Sequence, residues 1–277
     1  MIPAPFDYVR ASSVDEAVSL LAEHGDEAKL LAGGHSLLPL MKLRLARPSV
    51  LIDVGRVAEL SYVREAGSGS SGSAEVAIGA LTRHAVLERD PLVRSLVPLL
   101  AQAASTVGDP QVRHRGTLGG TLAHGDPASD LPAVVLALGG TIVAAGPSGR
   151  REIPATQFFT GFLETALLPD EMIVEVRLPA TGDAGWSFQK FTRRAQDWAI
   201  VGVAYAAGHG VGLVNMGSTP MRAWEVETAL AGGASAGEAA ALAAEGTAPS
   251  GDLNASPEFR QHLARVLVRR ALEEAGV

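Results

Sequence analysis

Hydrophobic positions near the N-terminus predict a helix between short buried strands. Apolar residues recur at helical spacing over 14–24, and Ser13 and Glu16 before and within this stretch have the spacing of a capping box. The apolar runs at 28–32 and 50–54 have the length of buried strands. This part of the chain therefore predicts an α/β unit.

The next region predicts hairpins and helices. Residues 62–64 and 75–78 are typical of paired strands, and the Gly/Ser-rich stretch 67–73 between them predicts a flexible surface loop. Thr82 is placed to cap a helix that runs through Leu87. The other elements predicted before residue 180 are a helix over 92–107 broken or restarted at Pro98, a turn at 108–110, a helix over 131–138, a hairpin of 141–145 with 151–153, and a strand over 171–179.

After residue 179 the pattern changes, and 179–185 is a candidate domain boundary. Strand-like stretches come first and helical stretches follow, which indicates a compact α+β domain. The predicted strands are 186–192, 199–206 and 211–216, and the predicted helices are 224–230, 236–244 and 258–275.

The amino-acid composition excludes several classes of function. Hydrophobic residues make up 47% and charged residues 19% of the 277 residues, so the chain is globular, and a net charge of −7 argues against nucleic acid as a partner.

No apolar run of about 18 residues and no signal-peptide pattern is present, which predicts a cytoplasmic protein without a transmembrane segment. The absence of cysteine excludes disulfides and Cys-ligated clusters in this chain, and the spacing of the seven histidines predicts no metal site.

A double glycine, Gly33-Gly34, directly follows the first buried run. Glycine adopts positive φ readily, and the amides of His35, Ser36 and Leu37 are free to point at an anion such as a diphosphate. For a lone Gly-Gly, a tight strand-to-helix turn without any ligand is the better interpretation. A second glycine segment further along the chain makes anion binding the better interpretation.

The second segment is 116–125, where four glycines within ten residues predict an irregular coil that closely follows another surface. Ser129 or Asp130 is placed to cap the helix that comes next. Two amide-rich turns of this kind can share one diphosphate without Lys or Arg, which suits an acidic protein.

At this point the chain resembles the FAD-binding medium subunit of carbon monoxide dehydrogenase and of the xanthine dehydrogenase, or molybdenum hydroxylase, family. The motifs that carry the resemblance are Ala32-Gly33-Gly34-His35-Ser36 with Met41-Lys42-Leu43-Arg44, Thr117-Leu118-Gly119-Gly120-Thr121 with Gly125-Asp126-Pro127-Ala128-Ser129-Asp130, and Lys190-Phe191-Thr192-Arg193-Arg194-Ala195-Gln196-Asp197-Trp198-Ala199. The first two motifs together are specific. Some members of the family have Asn at the positions of His124 and Ser129.

The resemblance implies an α+β fold: a two-subdomain FAD-binding α/β domain of the vanillyl-alcohol-oxidase/PCMH-like type, followed by a small C-terminal α+β domain with an antiparallel sheet and helices. The domains are expected over 1–179, with subdomains of about 1–55 and 56–179, and over 180–277. In the family both glycine turns wrap the FAD diphosphate. The cofactor-binding residues implied are Ala32, Gly33, Gly34, His35, Ser36, Leu37, Thr117, Gly119, Gly120, Thr121, Asp130, Lys190 and Trp198, with no catalytic side chain and no metal ligand.

Several of these positions also have a simpler interpretation. Asp130 is equally well explained as a helix cap, Lys190 as a solvated strand lysine, and Trp198 as core packing. Lys42 and Arg44 are better explained as surface charges or partner contacts than as ligands.

The function implied is an electron-transfer subunit, in which FAD receives electrons from 2Fe-2S clusters on an iron–sulfur small subunit and passes them to an external acceptor. The molybdenum cofactor is expected on a large subunit. The partner surface is expected to include part of segment 42–47 or the cluster at 158–162, because exposed aromatic and Arg residues are enriched at interfaces. The alternatives are a self-contained FAD-dependent oxidase or reductase and a non-enzymatic nucleotide-binding scaffold.

Overall fold

A computed structural model of the chain describes residues 2–67 and 74–277. Apart from Gly67, the predicted surface loop at 67–73 lies outside these residues. The described chain contains a three-stranded, a five-stranded and a four-stranded sheet, and a small two-stranded one. Within the described ranges, no helix is both long and apolar enough to cross a membrane.

The N-terminal sheet is parallel, and its central strand is the last of the three in sequence. Its elements are β1 (Asp7–Arg10), α1 (Val14–His24), β2 (Ala28–Leu31), α2 (Leu37–Lys42) and β3 (Val50–Asp53). The Ser13 hydroxyl accepts a hydrogen bond from the Glu16 amide at 3.1 Å, whereas the Glu16 carboxylate accepts from Ser12. Only half of the predicted capping box therefore forms.

The five-stranded sheet is antiparallel. Its strands are β4 (Val63–Ala66), β5 (Glu75–Gly79), β6 (Thr141–Gly146), β7 (Gly149–Pro154) and β10 (Met172–Pro179). Both predicted hairpins, β4 with β5 and β6 with β7, are confirmed. β10 lies at the centre between them.

Six helices connect the two hairpins: α3 (His84–Leu87), α4 (Pro91–Leu96), α5 (Pro98–Ser105), α6 (Pro110–Arg115), α7 (Leu118–His124) and α8 (Asp130–Ala137). Two predictions are wrong here. Thr82 does not cap α3, because its hydroxyl donates to the Tyr62 carbonyl at 2.9 Å and Arg83 occupies the cap position. The predicted coil contains α7, which Thr117 caps and which ends at Gly125 in the left-handed conformation.

The Phe-rich segment divides between core and surface. It contains α9 (Ala155–Phe158) and the two-stranded sheet of β8 (Phe159–Gly161) and β9 (Glu164–Thr165). Phe158 is fully buried and meets the Phe159 ring edge-on at 5.2 Å between centroids. Phe162, at the hairpin tip, is 63% exposed.

The C-terminal part is an antiparallel sheet with helices packed against it. Its elements are β11 (Trp186–Phe191), β12 (Val201–Ala206), β13 (Gly210–Val214), β14 (Met221–Arg222), α10 (Trp224–Ala231), α11 (Ala236–Ala241) and α12 (Pro257–Glu274). The predicted order of strands before helices is confirmed. The short strand β14 was not predicted.

The C-terminal sheet packs directly onto the rest of the molecule. Phe188, Ala204 and Ala206 belong to the same buried cluster as the five-stranded sheet and α8. A Cβ atom on Gly212 would lie 2.0 Å from the Ala133 carbonyl oxygen, so β13 rests on the backbone of α8 with no room between them. This contact fixes the sheet against the helix that begins with Asp130.

Candidate cofactor cavity

A cavity of about 820 Å³ opens between the N-terminal sheet, the glycine segments and the C-terminal sheet. All of the site residues that the family resemblance implies line it: Ala32, Gly33, Gly34, His35, Ser36, Leu37, Thr117, Gly119, Gly120, Thr121, Asp130, Lys190 and Trp198. Positions more than 160 residues apart in the sequence therefore meet around one space. Its volume lies in the usual range of cofactor and ligand pockets.

The first glycine turn lies between β2 and α2. Gly34 has a φ of 79°, as expected, but Gly33 is not among the described glycines with positive φ. A Cβ on Gly33 would instead lie 2.3 Å from the Arg115 carbonyl oxygen. Gly33 is therefore required because the two glycine segments touch at this point.

The amides of the first turn are available to a ligand. Within the described residues, the backbone nitrogens of 33–37 donate no hydrogen bond to a protein atom. The Gly34 and Ser36 carbonyls accept from Leu38 and Leu40, whereas the amides of the turn have no protein partner in the described residues. A run of unpaired N–H groups that lines a cavity is the arrangement that binds phosphate oxygens.

In the second glycine segment, the amides of residues 118–121 already donate hydrogen bonds within the protein. The amides of Leu118 and Gly119 donate to the Thr82 and Ala80 carbonyls at 3.1 and 2.8 Å, and the Gly120 amide donates to the Thr117 hydroxyl at 3.2 Å. The expectation that both turns present free amides is therefore wrong for residues 118–121 of the second turn. A Cβ on Gly119 would lie 2.6 Å from that of Ala80, so this glycine lets α7 approach the chain after β5.

Asp130 and Lys190 form a buried ion pair in the cavity wall. The Lys190 ammonium donates to Asp130 Oδ2 at 2.6 Å and to the Thr106 carbonyl at 3.0 Å, and the two side chains are only 10% and 5% exposed. Asp130 Oδ1 has no hydrogen-bond partner in the described protein. Burial raises the pKa of Asp130 to about 6, although Lys190 opposes this shift.

Two simpler interpretations are wrong for this pair. Lys190 is not solvated. Asp130 is the first residue of α8 rather than its cap, and Ser129, at the cap position, makes no side-chain capping bond.

Trp198 is a wall residue and not a core residue, because it is 60% exposed and lines the cavity. It lies in the connection between β11 and β12, where Gln196 has a φ of 73°. His124 and Ser129, the two departures from the family pattern, also line the cavity.

His84 is a cavity residue that the sequence did not indicate. It is 4% exposed, and its two ring nitrogens have no hydrogen-bond partner in the described residues. Burial lowers its pKa to about 4, so the ring is neutral at physiological pH. A Cβ on Gly116 would lie 2.8 Å from this ring, so the His84 side chain packs directly against the second glycine segment. A single histidine after a strand has no sequence pattern that predicts a buried, neutral residue packed against the glycine segment.

Comparison with known proteins decides the family. Residues 4–181 match the family model described as the FAD binding domain in molybdopterin dehydrogenase, and residues 186–275 match the CO dehydrogenase flavoprotein C-terminal domain. The chain belongs to this family of flavoprotein subunits.

Two relatives in the family match over nearly their whole length. The carbon monoxide dehydrogenase medium chain of Hydrogenophaga pseudoflava is 43% identical, with 99% of this chain and 98% of that protein covered. The glyceraldehyde dehydrogenase medium chain of Sulfolobus acidocaldarius is 36% identical, with both chains fully covered.

Solved structures agree with the assignment. The carbon monoxide dehydrogenase of Hydrogenophaga pseudoflava superposes with a TM-score of 0.94 at 43% identity, covering 99% of this chain and 98% of that one. Quinoline 2-oxidoreductase of Pseudomonas putida 86 gives 0.90 at 31% identity, with 99% and 98% covered. The predicted fold class is thereby confirmed.

FAD is the cofactor of the family's N-terminal domain, and the cavity fits it. Unpaired amides at 33–37 match a diphosphate, and the volume admits a large ligand. The carboxylate oxygen of Asp130 that lacks a partner is suited to a hydroxyl or N–H donor. In the described residues, no cluster of His, Asp or Glu could hold a metal ion.

Proposed function

We propose that the chain is the FAD-binding, electron-transfer subunit of a molybdenum hydroxylase complex. The observation that supports it most is that three motifs distant in sequence line one cavity in a chain of this flavoprotein family. FAD, when bound, exchanges electrons one or two at a time. The chain's own residues bind the cofactor, orient it and exclude water around it.

We assign the amides of 33–37 to the FAD diphosphate, because they form a run of unpaired donors in the cavity wall. Thr117, Gly119, Gly120 and Thr121 shape the opposite wall. Asp130 offers an acceptor to the cofactor, and Lys190 keeps that acceptor charged by pairing with it. Trp198 covers the cavity from the C-terminal part.

The proposed partners are an iron–sulfur small subunit that carries 2Fe-2S clusters and a large subunit that carries the molybdenum cofactor, in a cytoplasmic hetero-oligomer. The chain contains no cysteine and hence no ligand set for an iron–sulfur cluster. An iron–sulfur cluster that donates electrons to its FAD would therefore lie on another chain. Leu45, 74% exposed beside α2, and Phe162 are apolar surface positions within the two predicted partner segments.

We divide the chain into an FAD-binding domain over 1–179, with subdomains of about 1–55 and 56–179, and a C-terminal α+β domain over 180–277. The two family models support a boundary here, since one ends at 181 and the next begins at 186. Lys190 and Trp198 come from the second domain, so both domains build the cofactor cavity.

The test is to purify the chain alone and with its partner subunits. A yellow chain that retains FAD argues against a non-enzymatic nucleotide-binding scaffold. The electron-transfer role predicts no substrate oxidation by the isolated chain and turnover only after assembly. Several turnovers per second by the FAD-loaded chain alone would support the self-contained oxidase instead.

A further inference from the structure

Two walls of the cofactor cavity are joined by a residue that lies outside it. Asn215 directly follows β13, and its backbone is left-handed, with a φ of 63°. Asn adopts this conformation more readily than most residues, but it is uncommon and is retained where the surroundings require it. Asn215 does not line the cofactor cavity; it lines a neighbouring cavity of about 680 Å³.

Asn215 makes hydrogen bonds to both walls. Its side-chain amide donates to the Ala199 carbonyl at 3.0 Å and to the Ile200 carbonyl at 3.3 Å. Its backbone amide donates to the Pro127 carbonyl at 2.7 Å. Ala199 directly follows Trp198, and Pro127 lies three residues before Asp130. One residue thus links the segments that carry Trp198 and Asp130.

Packing strengthens the same link. Ala133, Ala199 and Val214 form a small buried cluster that joins α8, the residue after Trp198 and the residue before Asn215. The buried Arg260 guanidinium also donates to the Ile200 carbonyl. The residues that follow Trp198 are therefore held in place by contacts with the C-terminal sheet and α12.

The other side of Trp198 is held weakly. Arg193 and Arg194 approach the Asp197 carboxylate only to 4.0 and 3.5 Å, and all three side chains are substantially exposed. Exposed pairs of this kind contribute little. The position of Trp198, itself 60% exposed, is consequently set through Ala199 and Ile200.

We infer that Asn215 is a positioning residue of the cofactor site, which sets the separation between the Trp198 wall and the Asp130 wall. The inference rests on the proposed binding of FAD in this cavity. Asn215 lies outside the cofactor cavity and acts through the carbonyls of Pro127, Ala199 and Ile200.

Two variants of the full-length chain test it. Asn215→Gly keeps the left-handed backbone at low cost but removes the amide donor. Asn215→Asp keeps the side-chain shape but turns a carboxylate oxygen toward two carbonyl oxygens. Asn254→Asp is the matched control, because Asn254 is exposed and its side chain makes no hydrogen bond in the described part of the chain.

The measurements are the dissociation constant of FAD, the visible circular dichroism of bound FAD and the melting temperature without FAD. We expect Asn215→Gly to weaken FAD binding about tenfold, the effect of one or two lost hydrogen bonds, and to change the dichroism. Asn215→Asp should weaken binding further, and Asn254→Asp should match the wild type. If Asn215→Asp does not fold, Asn215→Gly decides, since glycine fits the backbone.

A purely structural role predicts a lower melting temperature with unchanged affinity and dichroism, and that result would overturn the inference. Failure of the wild-type chain to bind FAD has a different meaning, because it would refute the proposed function itself.

Discussion

Lys190 reaches from β11 to Asp130 at the start of α8, with 2.6 Å between the ammonium nitrogen and the carboxylate oxygen. The two residues are 60 positions apart and belong to different motifs of the family. Their pairing joins the proposed domains inside the cofactor cavity. It also makes the effect of substituting either residue predictable.

Lys190→Met should destabilise the FAD-free chain strongly at pH 8. Removing one partner of a buried ion pair leaves an uncompensated charge and lowers the free energy of unfolding by about 3–5 kcal/mol. This loss is larger than the loss of about 1 kcal/mol that follows when a helix cap is removed. Urea unfolding measures the difference. Arg269→Met, which breaks an exposed pair with Glu273, is the control and should cost less than about 1 kcal/mol. Equal losses in the two variants would contradict the buried-pair account.

The same variant should lose less stability at pH 5. Lys190 holds the pKa of Asp130 down, so its removal raises that pKa above about 6. At pH 5 the carboxyl of the variant is then protonated, so the variant has no unpaired buried charge at this position. The carboxyl shift of Asp130 in a carbon-13 NMR titration reports the pKa directly, and a midpoint below that of the wild type would be inconsistent with this view.

His84→Gln should make stability less sensitive to acid. Burial lowers the pKa of His84 from 6.5 to about 4, so between these pH values the unfolded chain takes up a proton that the folded chain does not. The contribution of neutral His84 is present above pH 6.5 and is lost as the pH falls toward 4, by up to about 3 kcal/mol.

Comparing urea midpoints of wild type and His84→Gln from pH 7 to 4 isolates this effect. The raised pKa of Asp130 acts with the opposite sign, because the folded chain takes up that proton first, but it is common to both proteins. Replacement of the exposed His262 by Gln is the control. A profile for His84→Gln parallel to that of the wild type would show that His84 does not titrate as the structure requires.

Gly33→Ala should already abolish FAD retention, without any need for a larger side chain. The added Cβ would meet the Arg115 carbonyl at 2.3 Å, and backbone cannot move aside as a flexible side chain can. The two glycine segments would therefore separate. Gly237→Ala in α11 is the control, since no atom lies within 4 Å of its Cβ position, and alanine there should be neutral or stabilising. Flavin absorbance after gel filtration measures retention, and a yellow Gly33→Ala chain would disprove the contact.

Leu45→Asp should prevent assembly with the partner subunits while leaving FAD bound. Leu45 is 74% exposed in a segment proposed as partner surface, so a charge there is harmless to the isolated chain and costly in an apolar interface. Leu253→Asp, at a fully exposed leucine outside this segment, is the matched control. Co-purification of the three subunits is the measurement, and normal assembly of Leu45→Asp would remove this segment from the interface.

The sequence predicts the elements of this fold well because hydrophobic periodicity and turn residues are local signals. It placed the hairpins β4–β5 and β6–β7 and the strands β11 to β13 close to their observed positions. It failed at α7, where four glycines suggested coil. Gly119 allows this short helix to approach Ala80, and Gly116 before the helix leaves room for the His84 ring, which is a tertiary reason that no local pattern contains.

The candidate site divides in the same way. The motif residues could be named from the sequence because glycine turns have a recognisable composition. Whether their amides are free could not be predicted, because the carbonyls that accept from Leu118 and Gly119 belong to Thr82 and Ala80 in another segment. The partner of Lys190 and the burial of His84 also depend on the packing of distant elements. Asn215 has no sequence signal at all, because its role consists entirely of contacts across the fold.

The absence of any gap between Gly212 and the Ala133 carbonyl limits how this protein can be re-engineered. The C-terminal part is not a module that can be cut away or exchanged freely for that of a relative. A chimaera that joins residues up to 181 with a foreign C-terminal part would need glycine opposite Ala133 and apolar residues at positions 188, 204 and 206 to complete the common core. Protein engineers should therefore transplant α8 and the C-terminal sheet together.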